Sequence, residues 1–319
     1  MRSHSHGHFK ELYFELREGV EFVNLISEKY PSAMLKIGLF LFLLFYSNTK
    51  GLKSEPDQKI ILATYTYDTK DRVENLLPFA KLLEGKLDGK YEIITKSFPT
   101  VDELILAMVK EEVDLVFIST AGFLAYSNQS DGFDIAGALM VDQESESTYK
   151  SVIAASKKSG IVNWEDVREK SNQLKISMVS ENSTSGYLFP NLHLQQHGLT
   201  PLEENFGCVE FTGNHKKSLE SLVTGDCDLA AFGENDLLGL LDKNDLIHIL
   251  WVSPSIPLGP VLTRKGLDKS ISLEAKQTLL DLHNSNPDVL ESIKAGWIEA
   301  QNASYFEKAT KDYYLDFLK

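Results

Sequence analysis

The sequence predicts an α/β fold of two similar lobes with a ligand cleft between them, and three observations carry that expectation. Short apolar runs alternate with helical stretches from residue 59 onward, the pattern of strands joined by helical crossovers. The alternation starts afresh near residue 150, so that "EEVDLVFIST" and "TGDCDLAAFG" hold equivalent places in two halves. Third, "IHILWVSPSIPLGPVLTRKG" (247–266) reads as extended chain returning between the halves.

"KIILATYTY" (59–67) has the apolar density of a buried strand, and polar "DTKD" separates it from a helix over 72–87. "YEIITKSF" (91–98) is a second strand. "TVDELILAMVKEEV" (100–113) is an amphipathic helix with Thr100 as N-cap and Glu103 three residues on, the spacing of a capping box. "DLVFIST" (114–120) is a third strand, and strands linked in this way imply a parallel sheet covered on both faces.

In the second half, "KSVIAAS" (150–156) leads to "SGIVNWEDVREK" (159–170), a turn running into a short helix. "LKISMVS" (174–180) is a strand, and a helix follows from about 187 to 196. "GCVEFTG" (207–213) is a strand, "HKKSLESLVTG" (215–225) a helix and "CDLAAFG" (227–233) a strand. Helices over 272–284 and 286–300 close the chain. Residues 57–147 with 253–319 are expected to form lobe I, and 148–252 lobe II. Open sheets bind ligands beyond the carboxyl ends of their strands. "TYTYDT", "STAGFLAY", "ENSTSGY", "TGNHK" and "GEND" fall at such ends and are expected to converge on the cleft.

Composition bounds the function. The chain has 319 residues, 43% of them hydrophobic, enough for a substantial core and roughly two domains. Its net charge of −14 is spread along the chain, and no basic, aromatic-interleaved stripe is present. Such a surface repels phosphate backbones, which excludes nucleic acid as a partner. Cys208 and Cys227 show neither C-x-x-C nor a Cys/His metal spacing, and whether they pair stays open. No cofactor and no metal are expected.

"MLKIGLFLFLLFYSNTKG" (34–51) places Lys36 before an unbroken apolar run, Ile37 to Tyr46. The run is too short to span a bilayer, which takes about 20 helical residues, and it matches a signal-peptide core. Residues 1–50 are therefore set aside as a leader whose signal-like segment is 34–49, with Met34 the candidate start, and the mature protein is expected to be exported. "HSHGH" (His4, His6, His8) lacks a fixed geometry and reads as a tail.

"SENSTSGYLFPNLHLQQHG" (180–198) places Asn182, Ser183, Thr184, Ser185 and Gly186 between a strand and a helix. Two readings are open. One is an ordinary helix cap. The other is an anion cradle, in which hydroxyls join the N–H groups that a helix start leaves unpaired and Gly186 lets the backbone approach.

"SGIVNWEDVREK" and "ISMVSENSTSGYLFPNLHLQQHGLTP" resemble the phosphonate- and phosphite-binding components of bacterial ABC transporters, which are type 2 periplasmic binding proteins. In that family a Ser-Gly-Ile turn precedes a short helix, and a strand then runs into S-T-S-G-[YF]-x-x-P. "FTGNHKKSLESLVTGDCDLAAFG" resembles the family's Gly-x-His element and the Ala-Ala strand after it. "WVSPSIPLGPVLTRKGLD" and "GWIEAQNASYF" resemble its later motifs, so the resemblance covers about residues 58 to 310.

The resemblance implies a two-lobed type 2 binding-protein fold, a periplasmic location, a small oxyanion ligand and a permease partner in the inner membrane. The protein itself is expected to be a monomer. It further implies that Ser183, Thr184 and Ser185 hold the oxyanion, with His215 donating from the facing loop. Tyr126, Tyr149 and, more distantly, Tyr67 match aromatic wall positions, and Thr120 stands at the end of the third strand. Family members that bind aminophosphonates pair the ammonium with two acids. At one of those places this chain has Gly259, and at the other the register gives Asn235, flanked by Glu234 and Asp236. The expected ligand is therefore an amine-free oxyanion: phosphate, phosphite or a simple phosphonate.

Two other functions use the same residues. A sensor would close on ligand and signal to a membrane partner, and a hydrolase would pair Ser185 with His215. The sequence has no G-x-S-x-G, H-E-x-x-H, Walker A or dinucleotide fingerprint.

Overall fold

The computed structural model describes residues 58–66, 71–142, 149–240 and 243–318. The 1–50 leader with its apolar run, and Tyr67, lie outside the described residues.

The chain opens with β1 (Gln58–Tyr65), α1 (Val73–Lys86), β2 (Tyr91–Phe98), α2 (Val101–Val109), β3 (Leu115–Phe117), α3 (Thr120–Ser127) and β4 (Phe133–Val141). It continues with β5 (Ser151–Ser156), α4 (Trp164–Lys170) and β6 (Lys175–Met178). A π-turn (Thr184–Leu188) then leads into α5 (Phe189–Gln196), followed by β7 (Cys208–Phe211), α6 (His215–Thr224), β8 (Leu229–Gly233) and β9 (Ile247–Val252). The return passage enters β10 (Pro260–Arg264), and α7 (Lys269–Ser285), α8 (Pro287–Ala295), β11 (Ala303–Glu307) and α9 (Lys311–Asp316) follow.

Two sheets result, one in the order β11-β4-β10-β3-β1-β2 and one in the order β7-β6-β8-β5-β9. Each has a parallel heart: β1 with β2 and β3, and β6 with β7 and β8. The rest is antiparallel, which corrects the all-parallel expectation. Helical crossovers bring the chain back to the same end of a sheet. β5, β9 and β10 instead border the passages from one sheet to the other, so they run against their neighbours.

The equivalence of "EEVDLVF" and "TGDCDLAAF" has a physical basis. Asp114 accepts the Ile61 N–H at 2.9 Å, and Asp228 accepts the Lys175 N–H at 2.8 Å. Each carboxylate thus pins a neighbouring parallel strand, and Arg264 also binds Asp114 at 2.7 Å. β5 and β8 are buried on both faces: Ile153, Ala155, Leu229 and Ala231 pack into one cluster, and Val152, Ala154, Ala230 and Phe232 into the other. That accounts for their unbroken apolar runs.

Four stretches depart from expectation. "STAGFLAY" is a helix and not a loop, because Ser119 Oγ accepts the Gly122 N–H at 3.1 Å and starts α3. "FDIAGALMV" and "ASYFE", which the pattern left unassigned, form β4 and β11. The 286–300 helix stops at Ala295, beyond which Trp297 packs on Phe117 and under the Arg72 guanidinium. Cys208 is an exposed free thiol and Cys227 a buried one.

Two packing features bear on stability. A Cβ on Gly259 would stand 1.9 Å from the Ile118 carbonyl oxygen. The passage at 259 therefore accepts no side chain. On the outer side of α5, His193 stacks on Trp251 at 4.3 Å and meets Trp164 edge-on at 4.9 Å. Burial, and secondly His197, push the His193 imidazole down to about 4.

Gly259→Ala is expected to cost about 3 kcal/mol or more, since the clash is with backbone, and thermal denaturation checks it. His193 is neutral in the fold but gains a proton near its ordinary 6.5 in the unfolded chain. Its contribution is therefore complete above pH 6.5 and shrinks as pH falls towards 4. Urea midpoints compared at pH 7.5 and pH 4.5 should drop less in His193→Phe than in the native protein.

Candidate ligand-binding site

The site begins with a backbone contact. Beyond β6 the chain folds back so that the Val179 N–H donates to the Gly186 carbonyl at 3.1 Å. A Cβ on Gly186 would lie 2.3 Å from Val179 Cγ2, so glycine alone fits. Ser183 Oγ accepts the Gly186 N–H at 3.1 Å and caps the turn. The helical chain therefore starts at Thr184, three residues before the expected start at 187. Thr184 and Ser185 fall in its first turn, where N–H groups have no intrahelical acceptor. Hydroxyls and backbone donors are thereby gathered at one spot. The cap is thus present, and the hydroxyls that a cradle needs stand beside it.

His215 is the first residue of α6, and Asn214 caps that helix. Its Nδ1 accepts the Gly233 N–H at 2.9 Å, so its proton sits on Nε2, 3.3 Å from Ser183 Oγ. Asp236 Oδ2 shares the same Gly233 N–H at 3.0 Å and lies 3.3 Å from Nδ1. One backbone N–H thus anchors both the histidine and Asp236.

Residues of the two sheets meet across the cleft. The Ala121 N–H of α3 donates to Thr184 Oγ1 at 3.0 Å, and Ser119 Oγ donates to the Asn182 carbonyl at 3.4 Å. Asn182 Nδ2 donates to Asp102 on α2, and Asn235 Nδ2 reaches the Ile298 carbonyl at 3.5 Å. Tyr149 is buried and lines the cleft beside Thr184 and Ser185. Burial, then the charge of Glu299, raise its hydroxyl far above the ordinary phenol range, so it stays a donor at every working pH.

The enclosed space is about 150 Å³, the size of a cavity that takes a ligand of about six heavy atoms. Thr100, Ser119, Ser183 and Asn214 line it, and each caps the start of a helical segment. Four helix N-termini, each worth about half a positive charge, therefore open on one cleft. Among the described lining residues the only lysine or arginine is Lys150, beside the carboxylates Asp102, Asp236 and Glu299. The arrangement suits an anion held by dipoles and hydroxyls.

The structure brings Ser183, Thr184, Ser185, His215, Tyr149, Asn235 and Asp236 to this cleft. Two expected residues stay away from it. Tyr126 is buried in the core, edge-on to Phe133, and its hydroxyl donates to Ser130. Thr120 spends its hydroxyl on the Pro257 carbonyl at 2.7 Å. Both follow from α3 being a helix, which turns them from the strand end into the protein. Sequence reasoning missed Ser119, Lys150 and Glu299 as lining residues; a serine two places beyond a strand was the one available signal.

A family model described as the periplasmic substrate-binding protein of phosphonate ABC transporters matches residues 62–306. The chain belongs to that family. Among its relatives, the probable ABC transporter phosphite binding protein of Prochlorococcus marinus is 24% identical over 285 residues, covering 84% of this chain and 88% of the relative. The phosphate-import protein PhnD of Mycolicibacterium smegmatis is 23% identical over 265 residues, covering 79% and 75%. In fold, the chain is similar to the Prochlorococcus marinus PhnD1 solved with methylphosphonate, at a TM-score of 0.64 and 20% identity over 81% of this chain and 95% of that one. A binding component of an ABC phosphonate transporter from Pseudomonas aeruginosa gives a TM-score of 0.65 at 20% identity, covering 82% and 84%. The periplasmic binding-protein family thus accounts for the two lobes and the cleft between them.

Asn182→Ala removes the bond to Asp102 that spans the cleft mouth. It is expected to separate the lobes in a larger share of molecules, seen as a larger radius of gyration in small-angle scattering.

Proposed function

We propose that this binding protein captures a small phosphorus oxyanion, namely phosphate, phosphite or a phosphonate without an amine, and delivers it to an inner-membrane permease. Residues 57–147 and 253–319 act as lobe I and 148–252 as lobe II, and the lobes close on the ligand. The observation that carries this reading is the cradle: Ser183, Thr184 and Ser185 at a helix start, facing His215 Nε2–H. Ser183, Thr184, Ser185 and His215 donate to the anion, with Tyr149 behind them and Asn235 joining the lobes. Donor-bearing first-turn residues discriminate by geometry, and binding is reversible because no arginine clamps the ligand. Relatives that bind phosphite and import phosphate support the ligand class. The cleft volume supports a ligand of that size.

Two features favour an amine-free ligand. Gly259 can carry no acid, since even a methyl group has no room there. Asp236 already accepts the Gly233 N–H. The protein acts as an exported monomer, its leader being residues 1–50 with the signal-like segment 34–49.

Turnover is disfavoured by a tautomer. Ser183, His215 and Asp236 have the order of a Ser-His-Asp triad, but a general base needs Nδ1–H and a free Nε2. Here Gly233 donates to Nδ1, so Nε2 carries the proton and cannot accept that of Ser183.

Isothermal titration with phosphate, phosphite, methylphosphonate and 2-aminoethylphosphonate tests the reading, with an amine-free anion expected to bind best. Each buried hydrogen bond to a charged ligand is worth about 1.5–3 kcal/mol. Ser183→Ala with Thr184→Val is therefore expected to weaken binding by more than about 100-fold, with a cooperative melt retained. Near-native affinity in that double variant would remove the cradle.

A further inference from the structure

Glu299 lines the anion cleft, yet the sequence places it in a stretch read as plain helix. The chain breaks at Ala295, and a 3-10 turn (Ile298–Ala300) carries the carboxylate to the cleft. Its side chain is 13% exposed, and Oε2 is fully buried with no hydrogen-bond donor. Oε1 faces Arg72 Nη2 at 3.9 Å, longer than a hydrogen bond. Arg72 directs Nε to the Gly296 carbonyl at 2.8 Å and Thr120 its hydroxyl to the Pro257 carbonyl, so the Arg72 charge stands beside Glu299 without a hydrogen bond to it. A small cavity of about 20 Å³ behind the residue is walled mainly by apolar groups such as Phe117, Leu258 and Trp297.

A buried carboxylate without a donor is costly, and closing the cleft over a fully ionised anion adds like-charge repulsion. A ligand that brings its own hydrogen removes both costs. Resting on the phosphorus-oxyanion reading above, we propose that Glu299 makes ligand protonation a condition of binding. The site takes an oxyanion that retains one P–OH, donated to the Glu299 carboxylate, and rejects a tetrahedral anion with no proton, such as sulfate. Glu299 is thus a specificity residue facing the cradle.

The titratable and charged groups around it are Arg72 and Tyr65 from the six-stranded side, Tyr149 and Lys150 on the passage, and His215 and Asp236 across the cleft. Asp102 stands at the mouth. A ligand proton is separable from these by its midpoint, which follows the ligand and not the protein.

The test is titration of native protein and Glu299→Gln with phosphate, methylphosphonate, phosphite and sulfate between pH 5.5 and 8.5. In native protein, affinity is expected to fall about tenfold per pH unit above each ligand's second ionisation. The midpoint should shift from phosphite to methylphosphonate, and sulfate should bind at least about 100-fold more weakly than phosphate. In Glu299→Gln the slope flattens and the sulfate gap narrows at least about tenfold, since an amide can donate to an ionised oxygen. Native protein that binds sulfate as well as phosphate would overturn the proposal whether or not the variant folds. So would a folded variant that keeps both slope and discrimination. A native preference for 2-aminoethylphosphonate over methylphosphonate, lost in Glu299→Gln, would overturn it in favour of an ammonium partner. Silence toward every phosphorus anion in native protein would instead overturn the binding reading on which it rests.

Discussion

The approach of Gly186 to Val179 is the constraint on which the cleft depends. With no side chain at 186, the loop after β6 folds onto its own strand, and the helical chain starts at Thr184. Every later feature follows from that start. Ser183 becomes the cap, Thr184 and Ser185 enter the first turn, and Thr184 Oγ1 meets the Ala121 N–H from the opposite side. One helix start thus supplies the hydroxyls of the proposed cradle and a contact between the two sheets.

Holding an anion on a protein of net charge −14 is an electrostatic problem. The long-range field opposes the ligand, so attraction must be local and shielded from water. Four helix starts and a row of hydroxyls supply it at short range, and the closed walls lower the dielectric in which they act. The Gly233 N–H fixes the proton of His215 on Nε2, which adds a donor where a catalytic site would need an acceptor.

Much of this was legible in the chain. The paired Asp114 and Asp228 are written into "EEVDLVF" and "TGDCDLAAF", and both act locally by holding a neighbouring strand. The cradle was legible because its residues are consecutive and a glycine follows them. Tyr126 and Thr120 were misplaced because "STAGFLAY" gives no apolar periodicity from which to see a helix, so their direction could not be read. Glu299 was invisible because the break at Ala295 depends on Trp297 packing against Phe117 and Arg72, groups more than a hundred residues away.

The sequence by itself determined the two-lobed α/β fold, the cradle loop and the family, since each rests on patterns a few residues long. Hydrogen bonding along the backbone and burial of alternating faces are local rules, and local rules survive in one dimension. Only the tertiary structure decided the strand directions at the passages, the tautomer of His215, the bond from the Gly233 N–H to Asp236 and the presence of Glu299 in the cleft. These depend on which groups from distant segments come within a few ångströms of one another, and that distance is set by the packing of the whole chain.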